Sequence, residues 1–315
     1  MNFNKKKLDS SSLNRDTHKR LWKLLQIGAI VFFLALLVIG VLTLWTTSAE
    51  TRAHTAPPYP HQDIAELLQK EKLSENDYQL LFAQTGLNQS GVDYLFSQNR
   101  QQELLQLQKY YFANVKVVCN ANTIITREER IEELQLPAEE YNLYYPKRSG
   151  TSESIDRTRV SIPYVEAGDI LITFNCHAFG WRNGHAALVV DGEKRLALEA
   201  RVLGTDSAIM PMAHWERYPS FVVLRLKDAT KEQRQEIADY AAEHLVNIPY
   251  RLEAGIWERA AISGTHCAHL VWYAYQQFGY DLDSDGGIIV TPRDLYESAN
   301  LEIVQIYGMP QRKAE

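Results

Sequence analysis

Residues 184–200 read GHAALVVDGEKRLALEA, and this stretch predicts two β-strands joined by a tight turn. Both apolar runs have strand composition, and Asp191-Gly192 between them is a strong signal for a β-hairpin. A loop centred on Gly192 would place His185 directly opposite Glu199, where the Cβ atoms of facing residues lie about 4.5–5.5 Å apart. A loop of two or four residues would shift the register by one residue and turn Glu199 to the other face.

Other stretches of strand character lie on both sides of this hairpin. The predicted strands are DILITF (169–174), HAALVV (185–190), RLALEA (195–200), FVVLRL (221–226) and EIVQIY (302–307), with KVVC (116–119) as a further candidate. Residues 137–162 are rich in Tyr, Pro, Ser and Arg without periodicity, which predicts a loop. Because strands and helices occur in blocks, we expect an α+β fold, with helices packed on one side of an antiparallel sheet.

Capping patterns mark the starts of several predicted helices. Ser74, Thr230 and Thr291 each have a side chain suited to an N-cap, and Pro292 fits a first helical position. Gly86 would end the first of these helices. Residues 63–115 have a helical pattern with short loops, and we expect a small helical module that carries no chemistry of its own.

An apolar run near the N-terminus, LLQIGAIVFFLALLVIGVLTLW, begins at Leu24 and predicts a transmembrane helix over residues 24–46. Seven basic residues and two acidic ones precede it, so the positive-inside rule predicts a cytoplasmic tail at 1–23 and an extracytoplasmic remainder. A cleaved signal peptide is the alternative, although the apolar region of a signal is shorter.

The rest of the chain divides by composition. A proline-containing linker covers residues 47–62, the helical module 63–115, and a larger domain 116–310. Without the basic tail the chain has 26 basic and 37 acidic residues, a net charge of −11, which argues against nucleic acid or an anionic surface as partner. Three cysteines are too few for a disulfide scaffold of this size. Cys119 and Cys176 could pair or remain two buried thiols.

Cys267 is the candidate nucleophile. It lies in GTHCAHLVWYAYQQFG (264–279), where Thr265 is a plausible N-cap and would place Cys267 in the first turn of a helix. Backbone N–H groups and the helix dipole lower the pKa of a thiol at that position, and the same groups could bind an oxyanion. If Glu199 faces His185, the pair could serve as general base and orienting carboxylate. A buried structural cysteine and a structural histidine are the alternatives.

The stretch IPYRLEAGIWERAAISGTHCAHLVWYAYQQFG (248–279) resembles the nucleophile region of NlpC-type cell-wall peptidases. Here the histidine strand precedes the cysteine helix, and with TPRDLYES (291–298) this order resembles the circularly permuted papain-like amidases of the YiiX/YaeF type. The resemblance implies a permuted papain-like fold without a cofactor. It also implies functional residues: Cys267 as nucleophile, His185 as base, Glu199 as orienter and Tyr250 as a pocket residue.

Two features depart from the NlpC-type pattern. Arg251-Leu252-Glu253 stands where Trp-Gly-Gly often follows the Pro-Tyr pair, and His266 stands where an acidic residue often precedes the cysteine. Both departures affect what is expected of the substrate pocket more than what is expected of the reaction. We therefore expect a membrane-anchored extracytoplasmic cysteine hydrolase that cleaves an amide bond, with cell-wall peptides as its substrates.

Three alternatives remain open from the sequence. A zinc site could use residues of the right type, but they lack familiar metal-ligand spacing: Cys176, His177, His185, His266, Cys267 and His269. A lipid thioesterase or acyltransferase on the same fold, similar to the lecithin:retinol acyltransferase-like relatives, would predict an exposed apolar groove beside Cys267. A non-catalytic binding module would not need a thiol of low pKa.

Overall fold

A computed structural model describes residues 10–49, 54–113, 124–125, 155–156, 160–176, 183–255, 262–310 and 312. The chain forms two compact units, Met1–Ser48 with Ala178–Trp181, and Ala49–His177 with Arg182–Glu315. The first contains a long N-terminal helix, and the second is a mixed α+β unit built on a six-stranded antiparallel sheet.

The N-terminal helix, α1, spans Ser10–Ala49. Its segment Arg20–Leu42 covers 23 residues and contains an 18-residue window with a mean hydropathy of 2.8, and none of that window is buried in the protein. Since about 20 apolar residues cross the hydrocarbon core of a bilayer, α1 is long and apolar enough to span a membrane. The apolar run predicted from the sequence lies within it.

The strands of the main sheet are β3 Ile170–Thr173, β4 His185–Asp191, β5 Leu196–Glu199, β6 Ala208–Pro211, β7 Phe221–Leu226 and β8 Leu301–Tyr307. Their order in the sheet is β6-β5-β4-β3-β7-β8, and every neighbouring pair is antiparallel. Two short strands, β1 Ile124–Ile125 and β2 Ile155–Asp156, pair separately.

Five of the main-sheet strands were predicted from the sequence and are confirmed, whereas β6 was not predicted. The candidate strand 116–119 lies outside the described residues, as does most of the predicted loop 137–162. The part of that loop that is described includes β2, so it is not loop throughout.

The helices of the second unit fall into an N-terminal and a C-terminal group. They are α2 Glu75–Thr85, α3 Gln89–Ser97, α4 Glu103–Tyr111, α5 Lys231–His244, α6 Cys267–Gln276 and α7 Pro292–Glu297. Ser74, Thr230 and Thr291 each form a capping box, as their spacing predicted. Gly86 ends α2 with a left-handed φ of 72°.

One face of the sheet packs against the C-terminal helices. Ile172, Leu188 and Leu198 share a buried core with Ile237 of α5 and Val271 of α6. Because α6 lies on this face, its first residue is held close to the start of β4.

The opposite face is also covered, and here the expectation of helices on one side only was wrong. Leu171, Ala187 and Val223 share a second core with Leu87 and Leu95 of the N-terminal group. Alternate residues of β3, β4 and β7 enter the two cores, as expected for strands with both faces buried.

Backbone hydrogen bonds fix the N-terminal helices to the sheet edge. The N–H of Ile306 donates to the carbonyl of Gly86 at 2.8 Å, and the N–H of Asn88 donates to the carbonyl of Val304 at 2.8 Å. An added Cβ at Gly86 would collide with the carbonyl oxygen of Ile306. The glycine therefore permits both the helix end and the close approach to β8.

Candidate active site

Cys267 is the first residue of α6, as predicted, but Thr265 is not the N-cap. His266 occupies that position in extended conformation, and its Nδ1 accepts the N–H of His269 at 3.4 Å. The backbone of Thr265 is already paired: its N–H donates to Pro249, and its carbonyl accepts the N–H of Arg251 at 2.8 Å. This pairing holds Thr265 in extended backbone and leaves the capping position to the next residue.

The β4–β5 connection brings His185 and Glu199 to one face by a route that the sequence did not reveal. The turn between β4 and β5 has four residues, 192–195, and is not the loop centred on Gly192 that was expected. A four-residue turn alone would place Glu199 on the face of the sheet opposite to His185. A β-bulge between Val189 and Asp191 shifts the register by one further residue. His185 and Glu199 are therefore offset along the strands but share a face. The predicted register was wrong, and the predicted face was right.

The structure brings Cys267, His185 and Glu199 into one chain of contacts. His185 Nε2 lies 2.7 Å from Glu199 Oε2, and the imidazole also hydrogen-bonds the thiol of Cys267. Since Nε2 faces the carboxylate, the ring's other nitrogen, Nδ1, is available to the sulfur. All three residues are buried, with 4%, 5% and 1% of their surfaces exposed.

Burial and hydrogen bonding act in opposite directions on the thiol and the imidazole. Burial raises the pKa of Cys267, but hydrogen bonds to His185 and His266 outweigh it and lower that pKa to about 5. Burial lowers the pKa of His185, but hydrogen bonds to Cys267 and Glu199 raise it to about 9. Between these values the pair is a thiolate and an imidazolium, so the attacking species is present at neutral pH.

Glu199 has further partners that sequence reasoning missed. Its Oε1 accepts the Nε1–H of Trp215 at 3.0 Å and lies 3.1 Å from His214 Nε2, while Arg201 Nε lies 3.7 Å from Oε2. Burial raises the pKa of Glu199, but the charges and hydrogen bonds of His214 and His185 hold it well below its usual value. The carboxylate is thus charged although it is buried.

Trp215 and His214 lie in a 3₁₀ turn, Met212–Arg217, that follows β6. The turn and β6 have no clear periodicity, and only the adjacent His-Trp pair in MAHWER could have drawn attention. Burial lowers the pKa of His214, and this effect outweighs the charge of Glu199 and the hydrogen bond to it, which raise that pKa.

Tyr250 lies on the segment that precedes α6. Its backbone forms a parallel bridge with Thr265. Burial raises the pKa of Tyr250, and the charges of Cys267 and Cys176 raise it further. Cys176 Sγ lies 3.5 Å from the hydroxyl of Tyr218. The sequence left open whether Cys176 pairs with Cys119, and Cys119 lies outside the described part of the chain.

The six residues of the zinc alternative do not form a ligand cluster among the described residues, and His177 lies outside them. His269 is fully buried, and its Nδ1 is 3.1 Å from Thr265 Oγ1. Within the described ranges, one group of three potential ligands has all its ligand atoms within 4.8 Å of one another. This group consists of Asp283, Asp285 and Asp294.

Comparisons with known proteins give little further information. No protein-family model matches the chain, and no curated protein matches it. Among solved structures it is similar to metalloprotein YiiX from Escherichia coli O157:H7, with 16% identity and a TM-score of 0.37 over 46% of this chain and 98% of that chain. That protein is of the YiiX type that the sequence resembles. At this similarity, neither its fold nor its metal is transferred to this chain.

Proposed function

We propose that this protein is a cysteine hydrolase that cleaves an amide bond, with Cys267 as nucleophile, His185 as base and Glu199 as orienting carboxylate. The observation that carries the proposal is the buried chain of contacts from the thiol through the imidazole to the carboxylate. A nucleophile, a base and an orienting group within hydrogen-bonding reach are the recurring elements of covalent acyl transfer.

The reaction proceeds in two halves. The thiolate of Cys267 attacks the substrate carbonyl, and the charge that develops on oxygen is stabilised by N–H groups at the start of α6. The imidazolium of His185 gives its proton to the departing amine as the C–N bond breaks, leaving a thioester on Cys267. Neutral His185 then takes a proton from water, and the hydroxide cleaves the thioester to release the acid and the thiolate.

Glu199 and Trp215 position the base. The carboxylate accepts from Nε2 of His185, which leaves Nδ1 directed to the sulfur, and the indole N–H holds the carboxylate in place. Because Glu199 remains charged, it also stabilises the imidazolium that the first step requires.

The proposed fold is a permuted papain-like arrangement of the NlpC type. The order of the elements supports it: the strand bearing His185 and the strand bearing Glu199 both precede the helix that begins at Cys267. The proposed location is a single-pass membrane protein with residues 1–23 in the cytoplasm and the catalytic unit outside. The apolar segment of α1 and the basic residues before it support this topology.

Cell-wall peptides are the first candidate substrates, by analogy with the NlpC-type enzymes that residues 248–279 resemble. A lipid thioesterase or acyltransferase is the second candidate, and the length and hydropathy of α1 favour it, because a membrane-spanning helix would hold the enzyme at a bilayer. Both candidates use the same thiolate chemistry.

The proposal is tested with the purified full-length protein in lipid discs. The substrates are a muropeptide mixture and a chromogenic N-acyl p-nitroanilide, each with and without EDTA. Wild type should release product in both conditions, whereas Cys267→Ala and His185→Ala should each abolish release. Full activity of Cys267→Ala, or its loss in wild type with EDTA, would contradict the cysteine mechanism.

A non-catalytic binding module is distinguished by labelling. Iodoacetamide at neutral pH should alkylate Cys267 in wild type, because its thiol is deprotonated. A binding module has no requirement for this reactivity, and an unreactive Cys267 would favour that alternative.

A further inference from the structure

A polar groove of about 880 Å³ lies in the second unit, separate from the candidate active site. It is bordered by residues 161–167, by the end of β4 with the turn that follows it, by α5, and by Tyr94 and Arg100 near the end of α3. His185 begins β4, and Asp191, which lines the groove, ends it. At about 3.3 Å per residue the two ends of β4 lie about 20 Å apart. We call this cavity the distal groove.

Backbone contacts fix the shape of the distal groove. The N–H of Gly168 donates to the carbonyl of Val189 at 2.8 Å, and the N–H of Val189 donates to the carbonyl of Asp169 at 2.8 Å. A Cβ added to Gly192 would lie 2.5 Å from the carbonyl oxygen of Val165, so the turn after β4 packs directly on the segment 161–167. The groove is therefore formed before any ligand binds, as is usual for binding sites.

Two tyrosines give the distal groove an aromatic wall. The rings of Tyr94 and Tyr164 are stacked, with centroids 5.0 Å apart and an interplanar angle of 24°. Tyr164 is held by the guanidinium of Arg225, 4.9 Å from its ring centroid, and its hydroxyl donates to Glu166 at 2.7 Å. Tyr94 is only half-buried, so part of its ring surface is accessible from the groove. A tyrosine ring offers a flat apolar surface against which the C–H face of a sugar ring can pack.

The charged side chains of the groove are largely paired with one another or with neighbours. Arg195 lies 2.8 Å from Glu216, and Arg225 lies 3.3 Å from Glu166. A charged ligand would have to compete with these ion pairs. A hydroxyl group can add a hydrogen bond without separating them, because a carboxylate oxygen can accept more than one bond and a guanidinium has five N–H donors.

A row of polar side chains on α5 forms the other wall. Lys231, Gln235 and Asp239 all line the groove, and their spacing of four residues places them on one face of the helix. At 1.5 Å per residue the row is about 12 Å long, which exceeds one sugar ring. Gln235 Nε2 donates to Asp239 Oδ1 at 2.8 Å, so an amide and a carboxylate stand side by side. Together they offer a donor and several acceptors, which suits neighbouring hydroxyls that each donate and accept.

The same features argue against other classes of ligand. Acidic side chains outnumber basic ones along the groove, which disfavours a phosphate or a nucleotide. An aliphatic chain would take water from the polar lining and offer it no hydrogen bonds. β4, the strand that ends at the groove, is paired on both sides by β3 and β5, so it has no edge to which an extended peptide could add.

We propose that the distal groove binds a neutral oligosaccharide. The C–H face of one sugar ring packs against Tyr94, and ring hydroxyls hydrogen-bond to Gln235 and Asp239. The site takes no part in the reaction at Cys267, and it does not depend on the proposed hydrolase function.

The test is isothermal titration of the full-length Cys267→Ala protein in lipid discs, so that no turnover contributes heat. The probes are three neutral tetrasaccharides: cellotetraose, maltotetraose and N-acetylchitotetraose. At least one should bind with a Kd between about 10 μM and 1 mM. Adding Gln235→Ala and Asp239→Ala should weaken that binding about tenfold or more, because hydrogen bonds to an amide and to a charged group are lost. Glu236→Ala is the matched control, since Glu236 is exposed on the same helix but does not line the groove.

Three results would overturn the proposal. One is that no tetrasaccharide binds at up to about 10 mM. Another is that the double substitution weakens binding no more than Glu236→Ala does. The third is that tetra-alanine binds, in a way that the double substitution abolishes, while the tetrasaccharides do not. None of these results bears on the cysteine mechanism, because an unreactive Cys267 would contradict the proposed function and leave the titration result standing.

Discussion

The indole of Trp215 lies parallel to the imidazole of His185, with the ring centroids 5.3 Å apart and an interplanar angle of 13°. The same indole donates its N–H to Glu199. One side chain therefore restrains the plane of the base and the position of the carboxylate that orients it. Both rings are held before any substrate arrives, as preorganised catalysis requires.

Trp215→Phe should lower kcat by roughly 10- to 100-fold with little change in KM, because the ring stack is kept and the hydrogen bond to a charged carboxylate is lost. Such bonds contribute about 1.5–3 kcal/mol. The rate is measured with the N-acyl p-nitroanilide. Trp272→Phe is the matched control, since Trp272 is also buried but donates to Asp281, which follows the C-terminal end of α6. Equal losses in the two variants would mean a structural role for Trp215.

Glu199→Gln should reduce turnover and leave a residual rate. The amide can still accept a hydrogen bond from His185, but it no longer stabilises the imidazolium with a negative charge. The pKa of His185 should then fall below about 9, so the alkaline limb of the rate profile should move to lower pH. An unchanged alkaline limb in Glu199→Gln would argue against the orienting role.

The wild-type enzyme should have a bell-shaped pH–rate profile. Activity should rise as the thiol of Cys267 loses its proton through about pH 5, and should fall as the imidazolium of His185 loses its proton through about pH 9. The sign follows from the roles, since attack needs the thiolate and amine departure needs the protonated base. A profile that rises steadily to pH 10 would indicate an ordinary thiol and no ion pair.

A buried electrostatic cluster that includes Arg225 has a structural role. Arg225 Nε and Nη2 each lie 2.7 Å from the carboxylate of Asp169, and both residues are buried. Arg225→Met should lower the free energy of unfolding by about 3–5 kcal/mol, because it leaves a buried carboxylate without its partner. Lys194→Ala, which removes an exposed partner of Asp191, should change the free energy of unfolding far less than Arg225→Met. Both are measured by urea unfolding followed by tryptophan fluorescence.

Local sequence signals predicted the elements of the sheet well. Five strands coincide with apolar runs that end at a turn or at a helix cap: β3, β4, β5, β7 and β8. Apolar runs, turns and caps are each encoded by a few neighbouring residues. β6 was missed because four residues, AIMP, carry too little pattern and end in a proline. Packing on the second face could not be predicted, because the helical pattern of residues 63–115 does not show which surface its apolar side covers.

The candidate site was predicted in part, for similar reasons. Cys267 begins α6 and His185 begins β4, and neighbouring residues encode where each of these elements begins. The route that brings Glu199 to His185 depends on a bulge, which no residue in GHAALVVDGEKRLALEA specifies. Trp215 and His214 reach Glu199 only through the fold, so their contribution lies beyond what sequence spacing can reveal.

The central claim is that Cys267 is a thiolate held beside an imidazolium. The most direct test is the rate of iodoacetamide alkylation of Cys267 between pH 4 and 10, followed by peptide mass spectrometry on the full-length protein. The account predicts a midpoint near pH 5 in wild type and a midpoint several units higher in His185→Ala. A wild-type midpoint at 8.5 or above, matching that of His185→Ala, would contradict it.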